Sequence, residues 1–307
     1  MRTLALLVAG MTAWTGLRAA ESSAQARALL APKVIEAALD AGSPWRAPEK
    51  EAVERLVAEL KRDLAGGGFL ISPIGPWVVA TDLEAEDAQL FLDSTIQVYA
   101  AGLQRQLFKT FRAKPVKVYL FKDAESYTDW NLRLFKERPG TPYGYYSRKH
   151  NAMVMNIGTG GGTLLHEMVH AMAEADWPDL PAWLNEGLGS LYEASQKVPS
   201  GRIMGVTNWR LRGLLRDLED GKQTKLAELL KMDAASFYGA RSGANYATAR
   251  YLMQYLQQQA QLEAFYARLR DGQDPDAAAS LRAVFENKFT LDELEAKLFA
   301  WVKTLRL

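Results

Sequence analysis

His166-Glu167-Met168-Val169-His170 is the segment of this 307-residue chain whose residue types and spacing most directly suggest chemistry. Residues four apart on a helix lie one above the other, so the imidazoles of His166 and His170 can reach one metal ion. Glu167 is rotated about 100° from His166 around the same helix. It is badly placed to ligate but well placed to take a proton from a water beside the metal. Zinc lowers the pKa of such a water to about 7, so this pairing would make a nucleophile at neutral pH.

A catalytic zinc needs a third protein ligand and leaves its fourth position to water. The chain has no cysteine and only three histidines, His150, His166 and His170. That excludes disulfides, zinc-thiolate sites and a cysteine nucleophile. Any metal must then be held by His, Asp or Glu, and no histidine follows His170 at the spacing of a third histidine ligand. Trp183-Leu184-Asn185-Glu186-Gly187 offers Glu186, sixteen positions after His170. Pro178 and Pro181 break the intervening chain, so a second helix can turn back over the first and bring Glu186 to the metal. Two imidazoles and one carboxylate make a set suited to zinc. One ligand set is visible, so one Zn2+ per chain is expected. Asn185, next to that ligand, either orders the site or packs between helices.

HEMVH followed by WLNEG resembles the gluzincin zinc peptidases, the class of thermolysin and the aminopeptidase N family. WLNEGLGSLYE is similar to the second zinc helix of the aminopeptidase N-like enzymes. The succession of hairpin, glycine-containing loop, HEMVH and WLNEG most resembles the bacterial peptidase MA-like proteins. The specific similarity spans about residues 116–194, with weaker agreement through 256. It implies a zinc metallopeptidase with His166, His170 and Glu186 as ligands, Glu167 as general base, and a peptide or protein as substrate. It also implies that the hairpin before the zinc helix lies along the active-site cleft. Tyr143, Gly144, Tyr145, Tyr146 and Ser147 would then form a substrate-binding edge strand, where the alternative is a hairpin that meets only solvent. Gluzincins often supply an oxyanion donor from a later helix. Tyr246, in Gly243-Ala244-Asn245-Tyr246, is the candidate, and Tyr251 its rival. Two departures stand out. No counterpart of the G-A-M-E-N element, which anchors a substrate amine in aminopeptidase N-like enzymes, is present. Ser190 occupies the place where thermolysin has the Asp that orients a ligand histidine, so that partner must differ here.

The elements that must carry these residues follow from periodicity. Helical spacing marks 24–40 and 48–64, and a long amphipathic helix is expected over about 84–111. Trp77 to Thr81 and Val116 to Phe121 read as strands, with a helix from Asp123 to about Phe135. Tyr143 to Ser147 and Ala152 to Ile157 form the hairpin, joined by the polar turn Arg148-Lys149-His150-Asn151. His150 in that turn is expected to be solvated. Thr159-Gly160-Gly161-Gly162 lacks the Gly-Lys-Ser/Thr ending of a phosphate loop and serves as the entry to the zinc helix. Beyond Leu180 the chain reads as mostly helical. These elements and the resemblance together give an α+β, zincin-like fold. Its expected divisions are a signal peptide (1–20), a helical flank (21–75), a catalytic core (76–200) and a helical C-terminal part (201–307).

Arg2, an apolar stretch from Thr3 to Leu17 and small residues after it read as an export signal, cut after Ala19, Ala20 or Ala24. A periplasmic or secreted protein is therefore expected, with no stable membrane insertion once the signal is removed. A net charge of +1 gives no reason to expect nucleic acid as a partner. Nothing in the sequence sets the oligomeric state. Two other readings compete with the peptidase. One is a catalytically silent zincin fold that binds cell-envelope partners. The other is a closed structural metal site, which would need a fourth protein ligand.

Overall fold

This computed structural model describes residues 49–110 and 114–307. The expected signal peptide and the helix expected at 24–40 lie outside the described residues. Val53, Leu56, Val57 and Leu60 give α1 (Lys50–Asp63) an apolar face. A strand pair follows, β1 (Leu70–Ile74) and β2 (Trp77–Thr81). Next come α2 (Ala85–Phe91) and α3 (Val98–Gln106), joined by a π-helical turn at Leu92–Gln97. The expected helix over 84–111 thus ends early and carries one wide turn, where the Ser94 hydroxyl donates to the Leu90 carbonyl at 2.6 Å.

β3 (Val116–Phe121) leads to α4 (Ala124–Phe135), whose N-terminus is capped by Asp123 accepting from the Ser126 amide at 2.8 Å. The hairpin of β4 (Gly144–Ser147) and β5 (Ala152–Asn156) falls where the sequence places it. The sheet order is β1-β2-β3-β5-β4, antiparallel at both ends and parallel in the middle. Side chains alternate across it. Trp77, Val79, Val118, Leu120, Met153 and Met155 face the main core. Val78, Ala80, Tyr119, Phe121 and Val154 face a second cluster with Leu60 of α1 and Tyr127 of α4.

Against the main-core face lies α5 (Gly162–Asp176), which carries His166, Glu167 and His170, and beside it α6 (Ala182–Tyr192), which carries Glu186. Pro181 sits immediately before α6 as its N-cap residue, its φ of −61° set by the ring and its ψ of 143° extended. A short hairpin, β6 (Ser195–Lys197) and β7 (Ile203–Gly205), interrupts the region expected to be helical. It is followed by α7 (Arg210–Glu219), α8 (Leu226–Leu229), α9 (Ala234–Phe237), α10 (Ser242–Gln258), α11 (Leu262–Arg270), α12 (Ala277–Ala283) and α13 (Leu291–Val302). α10 is buried along most of its length and packs on α6.

The far end of α5 is held by one buried carboxylate. Asp176 accepts from the amides of Lys109 and Thr110 at 2.8 and 2.5 Å, from the Tyr266 hydroxyl at 3.1 Å and from Arg270 Nη1 at 2.8 Å. That ties α5 to the end of α3 and to α11. The chain is thus a mixed α/β protein built on a small mixed sheet. No helix among the described residues is long and apolar enough to cross a membrane.

Candidate metal centre

The site forms where α5 and α6 cross, and two glycines set how closely they approach. A Cβ on Gly189 of α6 would lie 2.9 Å from His166 Nε2 and 2.9 Å from His170 Cε1. A Cβ on Gly162, the first residue of α5, would lie 2.6 Å from the Glu193 carbonyl oxygen. No side chain fits at either contact unless something shifts. The imidazoles therefore rest almost on the backbone of α6, and Glu186, one turn before Gly189, faces them.

Glu186 Oε2 lies 3.2 Å from His166 Nε2 and 3.5 Å from His170 Nε2. Ligating atoms of His166, His170 and Glu186 all lie within 4.8 Å of one another, so the three could hold a metal ion. The other nitrogen of each ring is occupied. His170 Nδ1 is 2.8 Å from Asn185 Oδ1, and His166 Nδ1 is 3.2 Å from Glu193 Oε2. Both contacts call for an N–H on Nδ1, which leaves both Nε2 atoms turned toward Glu186. The Asn185 side chain thus contacts a candidate ligand directly. Ser190, by contrast, has a buried hydroxyl without a partner, and Glu193 orients His166. Glu193 is itself held through Oε1 by Asn208 Nδ2 at 2.8 Å and Arg210 Nε at 3.4 Å.

The charges fit a cation. Burial opposes a proton on His166, but hydrogen bonds to Glu186 and Glu193 outweigh it and hold its pKa near 10. Burial raises Glu186, yet the two imidazoles overcome this and keep it well below the usual carboxylate range. Burial pushes the Glu167 carboxyl up, against the pull of His170 and His166. Glu167, Glu186 and Glu193 thus bring three carboxylates to the site and its partners, a balance suited to a divalent ion and two neutral imidazoles.

The site opens into a cleft of about 430 Å³ whose lining includes His166, Glu167, His170 and Glu186. Tyr145, Tyr146 and Arg148 of the β4–β5 hairpin line it as well, as do Tyr238 and Tyr246. Of the five residues expected in a substrate-binding strand, Tyr145 and Tyr146 reach the cleft and Tyr143, Gly144 and Ser147 do not line it. β4 is nonetheless the edge of the sheet. His150 packs its ring on Phe135, with centroids 4.7 Å apart, away from the metal ligands.

The two tyrosine candidates separate. Tyr246 lines the cleft with its ring under the Arg210 guanidinium, 4.9 Å away. Burial and then the Glu186 carboxylate keep its phenol protonated. Tyr251 is buried and spends its hydroxyl on the backbone of Asn208, at 3.3 Å to N and 3.4 Å to O. A third tyrosine was not legible in the sequence. Tyr238, just after α9, donates its hydroxyl to Glu186 Oε1 at 2.7 Å. Glu193 had a readable signal, because it follows Glu186 by seven residues and so shares its helix stripe.

Residues 162–276 match a family model described as a protein of unknown function (DUF1570). The match begins at the first residue of α5 and takes in His166, Glu167, His170 and Glu186, while the β4–β5 wall of the cleft lies outside it. No curated protein matches the chain.

Proposed function

We propose that this chain is a zinc metallopeptidase of the gluzincin type, with a zincin-like catalytic core, acting on peptides or proteins outside the cytoplasm. The observation that carries the reading is the convergence of His166, His170 and Glu186 from two crossing helices, with Glu167 at the floor of an open cleft. A closed structural site would need a fourth protein ligand. Among the described residues the three-membered group has no such addition.

Zinc held by His166, His170 and Glu186 would supply Lewis-acid activation of water and of a substrate carbonyl. Glu193 and Asn185 keep a proton on Nδ1 of each imidazole, so that each Nε2 stays free to ligate. Glu167 takes a proton from the attacking water on its carboxylate and passes it to the departing amine. Oxygen adds to the carbonyl carbon and the C–N bond breaks. Burial raises the Glu167 pKa, which strengthens it as a base while leaving it able to give the proton back. Tyr246 donates a hydrogen bond to the carbonyl oxygen as negative charge develops there. The open edge of β4 pairs with the extended substrate backbone, and Tyr146 contributes to the wall beside it.

The test is cleavage of a peptide library by purified protein, with and without a chelator, followed by zinc restoration. Chelator-sensitive, zinc-restored cleavage is expected. A chain that binds zinc yet cleaves no peptide, under conditions where a known gluzincin does, would overturn the peptidase reading in favour of the silent fold.

A further inference from the structure

Glu186 presents two different oxygens to its surroundings. Oε2 faces both imidazole Nε2 atoms, at 3.2 and 3.5 Å. Oε1 receives the Tyr238 hydroxyl at 2.7 Å. A hydrogen bond to a carboxylate of that length is charge-assisted and directional, so it fixes the rotation of the carboxylate as well as its position. We propose that Tyr238 is the positioning residue of the metal centre, holding Glu186 by Oε1 so that Oε2 is kept for the ion.

The loop around Tyr238 is built to deliver that hydroxyl. Asn245 is buried and donates Nδ2 to the Phe237 carbonyl at 3.0 Å, while its Oδ1 accepts from the Thr224 hydroxyl at 2.6 Å. Phe237 is itself wholly buried beneath α9. The backbone on which Tyr238 begins is thereby clamped from α10, one residue before Tyr246. The Tyr238 ring rests on Phe237 and Tyr246, with centroids 5.4 and 6.4 Å away, and half of the residue remains open to the cleft. Tyr246 has its ring under the Arg210 guanidinium and also interacts with the Glu186 carboxylate through its hydroxyl, so it is the control against which the Tyr238 contact at 2.7 Å is judged.

The inference rests on the proposed ligands but not on the cleavage reaction, so metal affinity is its primary readout. Tyr238→Phe keeps the ring and removes only the hydroxyl. Zinc affinity is measured for wild type, Tyr238→Phe and Tyr246→Phe by competition with a chelator of known strength, and melting of each chelated protein is recorded alongside. Tyr238→Phe is expected to weaken zinc binding roughly tenfold, the usual effect of losing a partner of a metal ligand. Its chelated melt should stay close to wild type, and Tyr246→Phe should lose clearly less zinc affinity than Tyr238→Phe. Undiminished affinity in Tyr238→Phe overturns the proposal. So does a tenfold loss in both variants, since it would mark general loosening of the aromatic wall. If a cleaved peptide is in hand, fully loaded Tyr238→Phe should keep kcat within about threefold, whereas a loss on the order of a hundredfold at full loading would make Tyr238 the oxyanion donor. If wild type binds zinc but cleaves nothing, the peptidase reading falls and the affinity comparison still decides the role of Tyr238.

Discussion

Nδ1 of His166 lies 3.2 Å from Oε2 of Glu193, and Glu193 is anchored in turn by Asn208 and Arg210. The carboxylate paired with this imidazole therefore comes from the same helix as Glu186, the third candidate ligand. One helix, α6, supplies Glu186 to the candidate metal site, Asn185 to His170 and the residue at its end, Glu193, to His166.

Removing that partner should loosen the metal without removing a ligand. Glu193→Ala is expected to weaken zinc binding about 10- to 100-fold. Glu186→Ala deletes the only anionic ligand and should lose more, with little zinc left under mild chelation. The order of the two, read by chelator competition, is the check. Glu193→Ala binding as tightly as wild type would leave the 3.2 Å contact without a role in the metal site.

Glu167→Gln preserves shape but cannot take a proton. The variant should retain one zinc per chain while turnover falls by at least about a hundredfold. Metal analysis and steady-state kinetics on one preparation decide it, and ordinary turnover would remove Glu167 as the base.

Tyr246→Phe and Tyr251→Phe should behave differently because only the first ring reaches the cleft. Loss of the Tyr246 hydroxyl should cost roughly 2–4 kcal/mol of transition-state stabilisation, felt in kcat more than in KM. Loss of the Tyr251 hydroxyl removes two long contacts to Asn208 and should leave kcat unchanged. A kcat defect confined to Tyr251→Phe would exchange their roles.

The chelated protein should show a pH signature of the ligand cluster. His166 is raised to about 10, so its pairing contributes stability in full below about pH 6.5, and this is lost as pH climbs through about 10. Glu186 is depressed, so its share is present above about pH 4.5 and fades on further acidification. Melting temperature against pH should therefore hold up through the neutral range and decline on both sides. His166→Asn should flatten the alkaline decline. Zinc must displace the proton from His166, so loading at pH 7 should release acid into weak buffer, and the apparent affinity should rise with pH up to about 10. An affinity independent of pH between 7 and 9 would contradict this.

What the sequence made legible was regular and strongly patterned. β3 alternates and is flanked by turns, and it appears over the residues expected, 116–121. The ligand helices were readable because imidazole spacing and the prolines at 178 and 181 constrain them physically. β1 escaped because Ser72 and Pro73 dilute its apolar pattern, and pairing with the fully buried β2 supplies what propensity does not. β6 and β7 are three residues each. The Pro199-Ser200-Gly201 turn between them was a signal, but the strands are too short for periodicity to show. Tyr238 could not be found by spacing at all. It comes from a four-residue helix and a loop clamp by Asn245, and only tertiary packing brings it to Glu186.

The missing side chains at Gly162 and Gly189 also bear on which ions the protein can accept. Where two helices are separated by side chains, a larger guest can be admitted by rotating a leucine or a methionine. Here the separation is set by main chain against main chain at Gly162, which cannot yield by changing rotamer, and at Gly189 by main chain against imidazoles that Asn185 and Glu193 hold in place. Calcium asks for six to eight oxygens at about 2.3–2.6 Å. To gather them, α5 and α6 would have to part, pulling on the Asp176 anchor at the far end of α5. On the proposed metal reading, the close approach of the two helices would therefore act as a size gauge against large, oxygen-seeking ions.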